Sequence, residues 1–302
     1  MNNAEVMGIR NGLLHINSDA SLRYFEPLIG NGATGFVPRD RFGNRVFISS
    51  TGAYFDRAGN ENKAGILISR EGENFIKRHP GILSDIERGA FELTDTLQFG
   101  TQAQVTSKID LGRGRKIQSL PAGDIQAQSS VFLLEIDSEK YVVKKKAPRP
   151  KNRLAIDRSQ PYINEMLQTQ RFGTDLHDLF ANVGIIMATF MFATGQFSCS
   201  RFEEGRHPTQ KELGEKIESI WSEMYKYLVS LQPVSRISKH YQPPDLWDHI
   251  KLDLSREYGE DEDGGYGGDG LVWRTDNFIL RPDNKIVCID PFYYDPPYSR
   301  CA

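Results

Sequence analysis

The chain is short of the residues that would mark it as disulfide-built, metal-bound or membrane-spanning. Cysteine occurs only three times in 302 residues, at Cys199, Cys288 and Cys301. The number is odd, the spacing wide, and no two lie at zinc-ligand distance. That pattern argues against a disulfide framework and a structural metal, and it fits a reducing compartment. Histidine is also sparse, with six scattered residues, so a transition-metal site is not expected. Long apolar runs are missing: the most apolar stretch, Val183 to Ala193, falls short of the roughly 20 residues needed to cross a bilayer. The opening residues MNNAEVMGIRNG lack the apolar segment of a secretory signal. A net charge of −3 provides no general attraction for nucleic acid or an anionic membrane. The expectation is a protein of the cytoplasm, or one delivered into a host cytoplasm, with no nucleic-acid or membrane partner.

What is present describes a folded protein. Charged residues make up 25% and the apolar set 39%, a balance that can bury a full core. No repeat at a solenoid period is visible. Residues 1–115 are dense in turn signals: IGNGATG, RFGN, RAGNEN, REGEN and LGRGR separate short runs such as Arg45 to Ile48 and Ala64 to Ile68. This punctuation predicts hairpins, with a short helix around Ile82 to Phe91, and hence a β-rich N-terminal module. From Lys116 onward the pattern becomes more regular. Val131 to Ile136 and Lys140 to Lys146 predict two strands joined at Asp137-Ser138-Glu139. Ile163, Met166, Leu167 and Gln170 share helical spacing within Gln160 to Phe172. Two apolar strands follow, Ile185 to Phe192 and Phe197 to Phe202. Glu212 to Leu231 is the strongest helical stretch, with Ile217, Ile220, Trp221, Met224, Tyr225 and Leu228 on one face. A short helical piece is expected at Leu246 to Leu254, then an acidic, glycine-rich loop, GEDEDGGYGGDG.

The chemistry is concentrated near the C-terminal end. In DGLVWRTDNFILRPDNKIVCIDPFYYD, Asn277 closes a loop just before the apolar run Phe278, Ile279 and Leu280. Pro282, Asp283 and Asn284 supply turn chemistry. Ile286 to Ile289 form a returning strand that delivers Asp290 beside Asn277. An amide oxygen and a carboxylate on one side of such a hairpin suit Mg²⁺, which takes few protein ligands and completes its shell with water and phosphate.

Strand, strand, helix, strand, strand, connector, long helix and this hairpin make an order that resembles the protein-kinase-like superfamily. The resemblance implies an α+β fold over residues 116–302: a bilobal protein-kinase-like domain with a small β-rich lobe and a reduced helical lobe, preceded by the N-terminal module. It implies ATP and Mg²⁺ as cofactors, with Asn277 and Asp290 as metal ligands. Tyr141-Val142-Val143-Lys144 is similar to the strand motif whose lysine meets nucleotide phosphates. Strand alternation puts Val142 and Lys144 on one face, so Val142 would line the adenine pocket. Glu165 would ion-pair with Lys144. Gly123, in a stretch with one glycine where the family often has two or three, would cover the phosphates, helped by Ser129 and Ser130. Arg201 to Glu203 would offer backbone groups to the adenine edge, with Ser200 at the gatekeeper position.

One landmark is replaced. The family's general base lies five residues before the loop asparagine, and here that position is Val272. Asp269 could act from the glycine tract, or Asp276 from the loop itself. The pattern Val272 to Asn277 is similar to that of selenoprotein O, a family that transfers AMP. The third reading is a pseudokinase. The expected activity is transfer of a phosphoryl group from ATP to a protein or small-molecule acceptor. The alternatives are protein AMPylation and a nucleotide- or partner-binding scaffold.

Overall fold

The computed structural model describes residues 9–10, 13–14, 22, 25–26, 29, 45–55, 61–99, 107–120, 129–146, 163, 166, 169, 173–174, 176–220, 222–224, 226, 250–252, 255–257, 271–273, 275–290 and 292–294. The chain divides into two compact units. The first combines Met1–Gln170 with Thr189–Phe202, and the second Arg171–Ala188 with Glu203–Ala302.

Two dipeptide strands, β1 (Ile9–Arg10) and β2 (Leu13–Leu14), come first, then a hairpin of β3 (Arg45–Phe55) and β4 (Glu61–Ile68). Helices α1 (Arg70–Arg78) and α2 (Ile82–Phe99) follow. Next are β5 (Lys108–Gly112), β6 (Arg115–Ser119), β7 (Ser129–Ile136) and β8 (Glu139–Lys146). Beyond them lie α3 (His177–Asn182), β9 (Ile185–Met187), β10 (Phe190–Ala193), β11 (Phe197–Arg201) and α4 (Gln210–Glu218). Three short strands follow, β12 (Ile250–Leu252), β13 (Ser255–Glu257) and β14 (Leu271–Trp273). A 3-10 turn at Thr275–Asn277 then leads into β15 (Phe278–Leu280), β16 (Ile286–Cys288) and β17 (Phe292–Tyr294). The class is α+β.

An eight-stranded antiparallel sheet, ordered β3-β4-β10-β11-β8-β7-β6-β5, organises the first unit. Its centre follows directly from the sequence. β7 and β8 alternate buried and half-buried positions, and their two-residue turn holds Asp137 and Ser138 at φ 47° and 71°. Such positive φ values give the turn a twist that matches the strands. One face carries Phe132, Leu134, Tyr141, Val143, Phe197 and Cys199, all fully buried. Helix α1 lies on β10, and α2 on β5, β6 and β7, burying Phe75, Ile76, Ile82, Leu83, Ile86 and Leu93 in the same core. Each large side chain so buried contributes about 1.5–3 kcal/mol.

Close approach decides two positions in this packing. Ser69 caps α1 by accepting the Gly72 N–H at 3.0 Å, while its hydroxyl donates to the Phe190 carbonyl at 2.7 Å. A Cβ on Gly72 would lie 2.1 Å from the Met191 carbonyl oxygen, so only glycine lets α1 seat on β10. REGEN is therefore not a turn, as its composition suggests, but the start of a capped helix. The N-terminal segment is accordingly not only β-rich: α2 runs on from Ile82 to Phe99. The boundary drawn at residue 115 falls at the start of β6, which pairs with β5 on one side and β7 on the other.

Ionisable side chains are also packed against this core. The Arg115 guanidinium donates to the Asp85 carboxylate at 2.6 Å and to the Pro80 carbonyl at 2.9 Å, tying the start of α2 to β6. His79 ends α1, stacked beside Phe75 and 3.8 Å from the Asp137 carboxylate. Burial holds the His79 imidazole below its ordinary value of 6.5, with Asp137 opposing the shift. The folded chain thus binds fewer protons at this site than the unfolded one. Stability is fully present above about pH 6.5 and declines as pH falls through that value toward the folded pKa. Denaturant midpoints measured from pH 7.5 to 5 should fall less steeply in His79→Gln than in the native chain; equal slopes would remove His79 as the cause.

The second unit has its own core of Leu176, Phe180, Ile185, Leu213, Ile217, Ile220, Met224, Phe278, Ile286 and Cys288. Its three-stranded sheet, β15-β16-β9, pairs β16 antiparallel with β15 and parallel with β9. Here the structure corrects three expectations. The apolar run Ile185 to Phe192 is two strands in two sheets: the Ala188 N–H donates to Cys288 in the second unit, while the Thr189 carbonyl accepts from Arg201 in the first. A local hydrophobic count cannot see that change of partner. α4 spans Gln210–Glu218, and helical residues resume at 222–224 and 226. Ile250–Leu252 is a strand paired with β17, not helix; three residues of apolar-polar-apolar spacing suit either, and tertiary pairing decides.

Candidate functional site

Two sets of chemistry-bearing residues are placed, one in each unit. In the first, the sheet face opposite the helices forms two cross-strand rows. Val142 of β8 lies between Leu133 and Ser200, and Lys144 lies between Val131 and Ser198. Leu133, Val142, Lys144 and Ser200 are half-buried there, and Ser198 is buried. In backbone register Ser129 lies opposite Lys146 and Ser130 opposite Lys145.

The adjacent lysine has a different role. Lys145 is buried at 5% exposure, with its Nζ 4.0 Å from the centroid of the Phe91 ring and 3.3 Å from Thr94 Oγ1 on α2. Thr94 in turn donates to the Ala90 carbonyl at 2.6 Å. This ammonium is part of the helix–sheet packing. Lys145→Ala should lower stability by about 2 kcal/mol, the scale of a desolvated cation–π contact, while Lys144→Ala, on the half-buried face, should cost less. Melting of both variants checks this; equal losses would mean that the two faces are packed alike.

At the end of β11 two backbone amides are engaged within the first unit. The Arg201 N–H donates to the Thr189 carbonyl and the Phe202 N–H to the Lys140 carbonyl, so both amides are taken up by the sheet. The Arg201 guanidinium pairs with Glu139 at 3.2 Å. Glu139 also accepts the Tyr141 hydroxyl, and burial followed by that carboxylate pushes Tyr141 up to about 12. Glu203, in the second unit, lies 3.8 Å from Arg281.

The second set is the hairpin of the second unit. The 3-10 turn Thr275–Asn277 runs straight into β15. Its carbonyl at Asn277 accepts the Ile289 N–H at 2.9 Å, which brings the residue before Asp290 against Asn277. The Pro282-Asp283-Asn284 turn is present, with Asn284 at φ 63° and the Arg281 and Lys285 backbones joined at 2.9 Å. Asn277 is buried at 6% exposure, while Asp276 and Asp290 are exposed. Val272, at the position of the family's base, lies in β14 opposite Arg256. Among the described residues, no cluster of three or more His, Cys, Asp or Glu side chains is placed to hold a metal. One amide and one carboxylate are hard oxygen donors, and Mg²⁺ needs no more than one or two from protein.

Sequence reasoning missed the segment that holds this hairpin from its other edge. Arg206 exchanges both backbone hydrogen bonds with Leu280, at 3.1 and 2.7 Å. Gly205 passes so close that a Cβ would lie 2.3 Å from the Leu280 carbonyl oxygen. Thr209 and Glu212 form a reciprocal capping box at the start of α4. Glu212 also accepts from the Arg206 guanidinium at 2.8 Å, and that contact, with the Thr209 N–H, lowers its carboxyl to about 2. The Thr-x-x-Glu spacing was the available signal. Glu165, Gly123 and Asp269 lie outside the described residues, as do Leu167, Gln170, Trp221, Tyr225, Leu228 and the GEDEDGGYGGDG tract. In comparisons with known proteins, no family model matches this chain and no curated protein matches it significantly.

Proposed function

We propose that the chain is an ATP- and Mg²⁺-dependent transferase of bilobal, protein-kinase-like build, moving a phosphoryl group to a protein or small-molecule acceptor. The observation that carries the reading is the 3-10 turn and hairpin of the second unit. It places the Asn277 amide and the Asp290 carboxylate at adjoining backbone positions through the Asn277–Ile289 hydrogen bond. The order of elements supports it: β7, β8, helical residues at 163, 166 and 169, then α3, β9, β10, β11, α4, the short strands β12 to β14 and the hairpin. So does the pairing of Val142 and Lys144 on one half-buried sheet face. In this reading Lys144 meets the phosphates, Asn277 and Asp290 hold the metal, and bound Mg²⁺ offsets the charge of the phosphates. Phosphoryl transfer depends mainly on such positioning and electrostatics.

A second reading has its own observation. With Val272 in a β-strand and no carboxylate at the family's base position, the acceptor proton must go elsewhere. Exposed Asp276, next to Asn277, would take it, or else Asp269. That arrangement also suits AMP transfer of the selenoprotein-O-like type, or a nucleotide-binding scaffold. Parallel reactions with ATP labelled on the α- or γ-phosphate decide. Acceptor label from the γ position supports phosphoryl transfer, and label from the α position supports AMPylation. Neither label, with Mg²⁺·ATP still raising the melting temperature, leaves a scaffold. Neither label and no melting shift overturns the nucleotide reading.

A further inference from the structure

We infer that His207 is a positioning residue for the Asp276-Asn277 turn, an inference that rests on the metal-site reading above and deepens it. β15 is a short strand held along both edges. On one edge β16 pairs with it, and the Asn277 carbonyl takes the Ile289 N–H at 2.9 Å. On the other edge the connector before α4 runs antiparallel to it through Arg206 and Leu280. At the end of that second edge stands the His207 ring, with Nδ1 2.9 Å from the Phe278 carbonyl oxygen.

A carbonyl only accepts, so Nδ1 must carry the proton and donate. Neutral His207 is thereby fixed as the Nδ1–H tautomer. The Phe278 carbonyl is the first beyond Asn277, on the side of the strand opposite to the bond with Ile289. The two bonds together fix the peptide planes on both sides of Phe278, the first of them the Asn277–Phe278 peptide, and with it the angle at which the turn joins the strand. His207 is itself held: its neighbour Arg206 is anchored to Glu212 of the α4 capping box, and Gly205 leaves no space for the connector to slide. Outer partners that orient metal ligands typically change metal affinity by about 10–100-fold when removed. A loosened turn should act the same way on a site whose donors are Asn277 and Asp290.

The test compares the full chain with His207→Ala and His207→Asn, the second keeping an N–H donor near the Nδ1 position. Two readouts are taken. The first is the MgCl₂ concentration giving half of the ATP-dependent melting shift. The second is hydrogen exchange of the Ile289 amide without nucleotide. His207→Ala should raise the Mg²⁺ midpoint about 10-fold and speed exchange at Ile289, while His207→Asn stays close to the native chain in both. An unchanged Mg²⁺ midpoint and unchanged Ile289 exchange in His207→Ala overturn the assignment. Equal damage in both variants overturns it too, because the donor would then not be what matters. Faster Ile289 exchange in a protein that ignores Mg²⁺·ATP altogether supports the positioning of the turn and overturns the nucleotide reading instead.

Discussion

Asp85→Ala should lower unfolding free energy by about 3 kcal/mol, at the lower end of what breaking a buried ion pair costs. The Arg115 side chain is only 5% exposed and Asp85 21%. Removing the carboxylate leaves a guanidinium in the core, still donating to the Pro80 carbonyl but, among the described residues, with no opposite charge of comparable burial beside it. Arg88, which meets Asp85 at 3.2 Å near the surface, is half-exposed and can return to water. The cost therefore comes from stranding Arg115 and not from the lost attraction alone. If so, adding Arg115→Met in the Asp85→Ala background should recover most of the loss, because an apolar side chain of similar reach needs no partner. Urea unfolding of the two variants reads both values. A single variant within 0.5 kcal/mol of the native chain, a threshold of about the size of an ordinary surface substitution, would show that the pair is not the brace the geometry describes.

The second large effect concerns ligand rather than fold. On the proposed reading, Asp290→Ala should abolish stabilisation by Mg²⁺·ATP, which at about 100-fold over the dissociation constant is worth roughly 2.7 kcal/mol. Without nucleotide the same variant should lose little, since Asp290 is exposed and exposed charged contacts contribute about 0–1 kcal/mol. That contrast separates loss of a metal ligand from general damage, which would lower both melting temperatures together. A full Mg²⁺·ATP shift surviving in Asp290→Ala would withdraw the residue from the metal site.

The parts legible in the sequence were those governed by neighbours along the chain. The β7–β8 hairpin declares itself through two β-branched and apolar runs, Val131 to Ile136 and Tyr141 to Val143, with the polar turn Asp137-Ser138-Glu139 between them. The β15–β16 hairpin does so through Pro282-Asp283-Asn284, and its spacing brought Asn277 and Asp290 into view. The shared face of Val142 and Lys144 follows from the pleat alone. Which face the helices cover does not, because it depends on α1 and α2 arriving from about 50 residues upstream or more, and so Lys145 rather than Lys144 proved to be the buried ammonium. REGEN was misread because Gly and Asn signal turns unless a cap and a docking surface override them; Ser69 and the Met191 backbone do so here. His207 had no signal at all. A lone histidine shows its partner only when a distant strand is laid beside it.

The bond from Ser69 to Phe190 joins residues 121 positions apart, and the pairing of β4 with β10 spans a similar gap. On the ribosome, that separation is a waiting time. At about 5–20 residues per second, roughly 6–24 s pass between synthesis of the Ser69 cap and synthesis of the strand that receives it. Throughout that interval one edge of β4 has no partner, and the side of α1 destined for β10 has nothing to rest on. The first unit therefore closes late in translation, and its early half is the stretch of the nascent chain most in need of shelter from other unfolded chains.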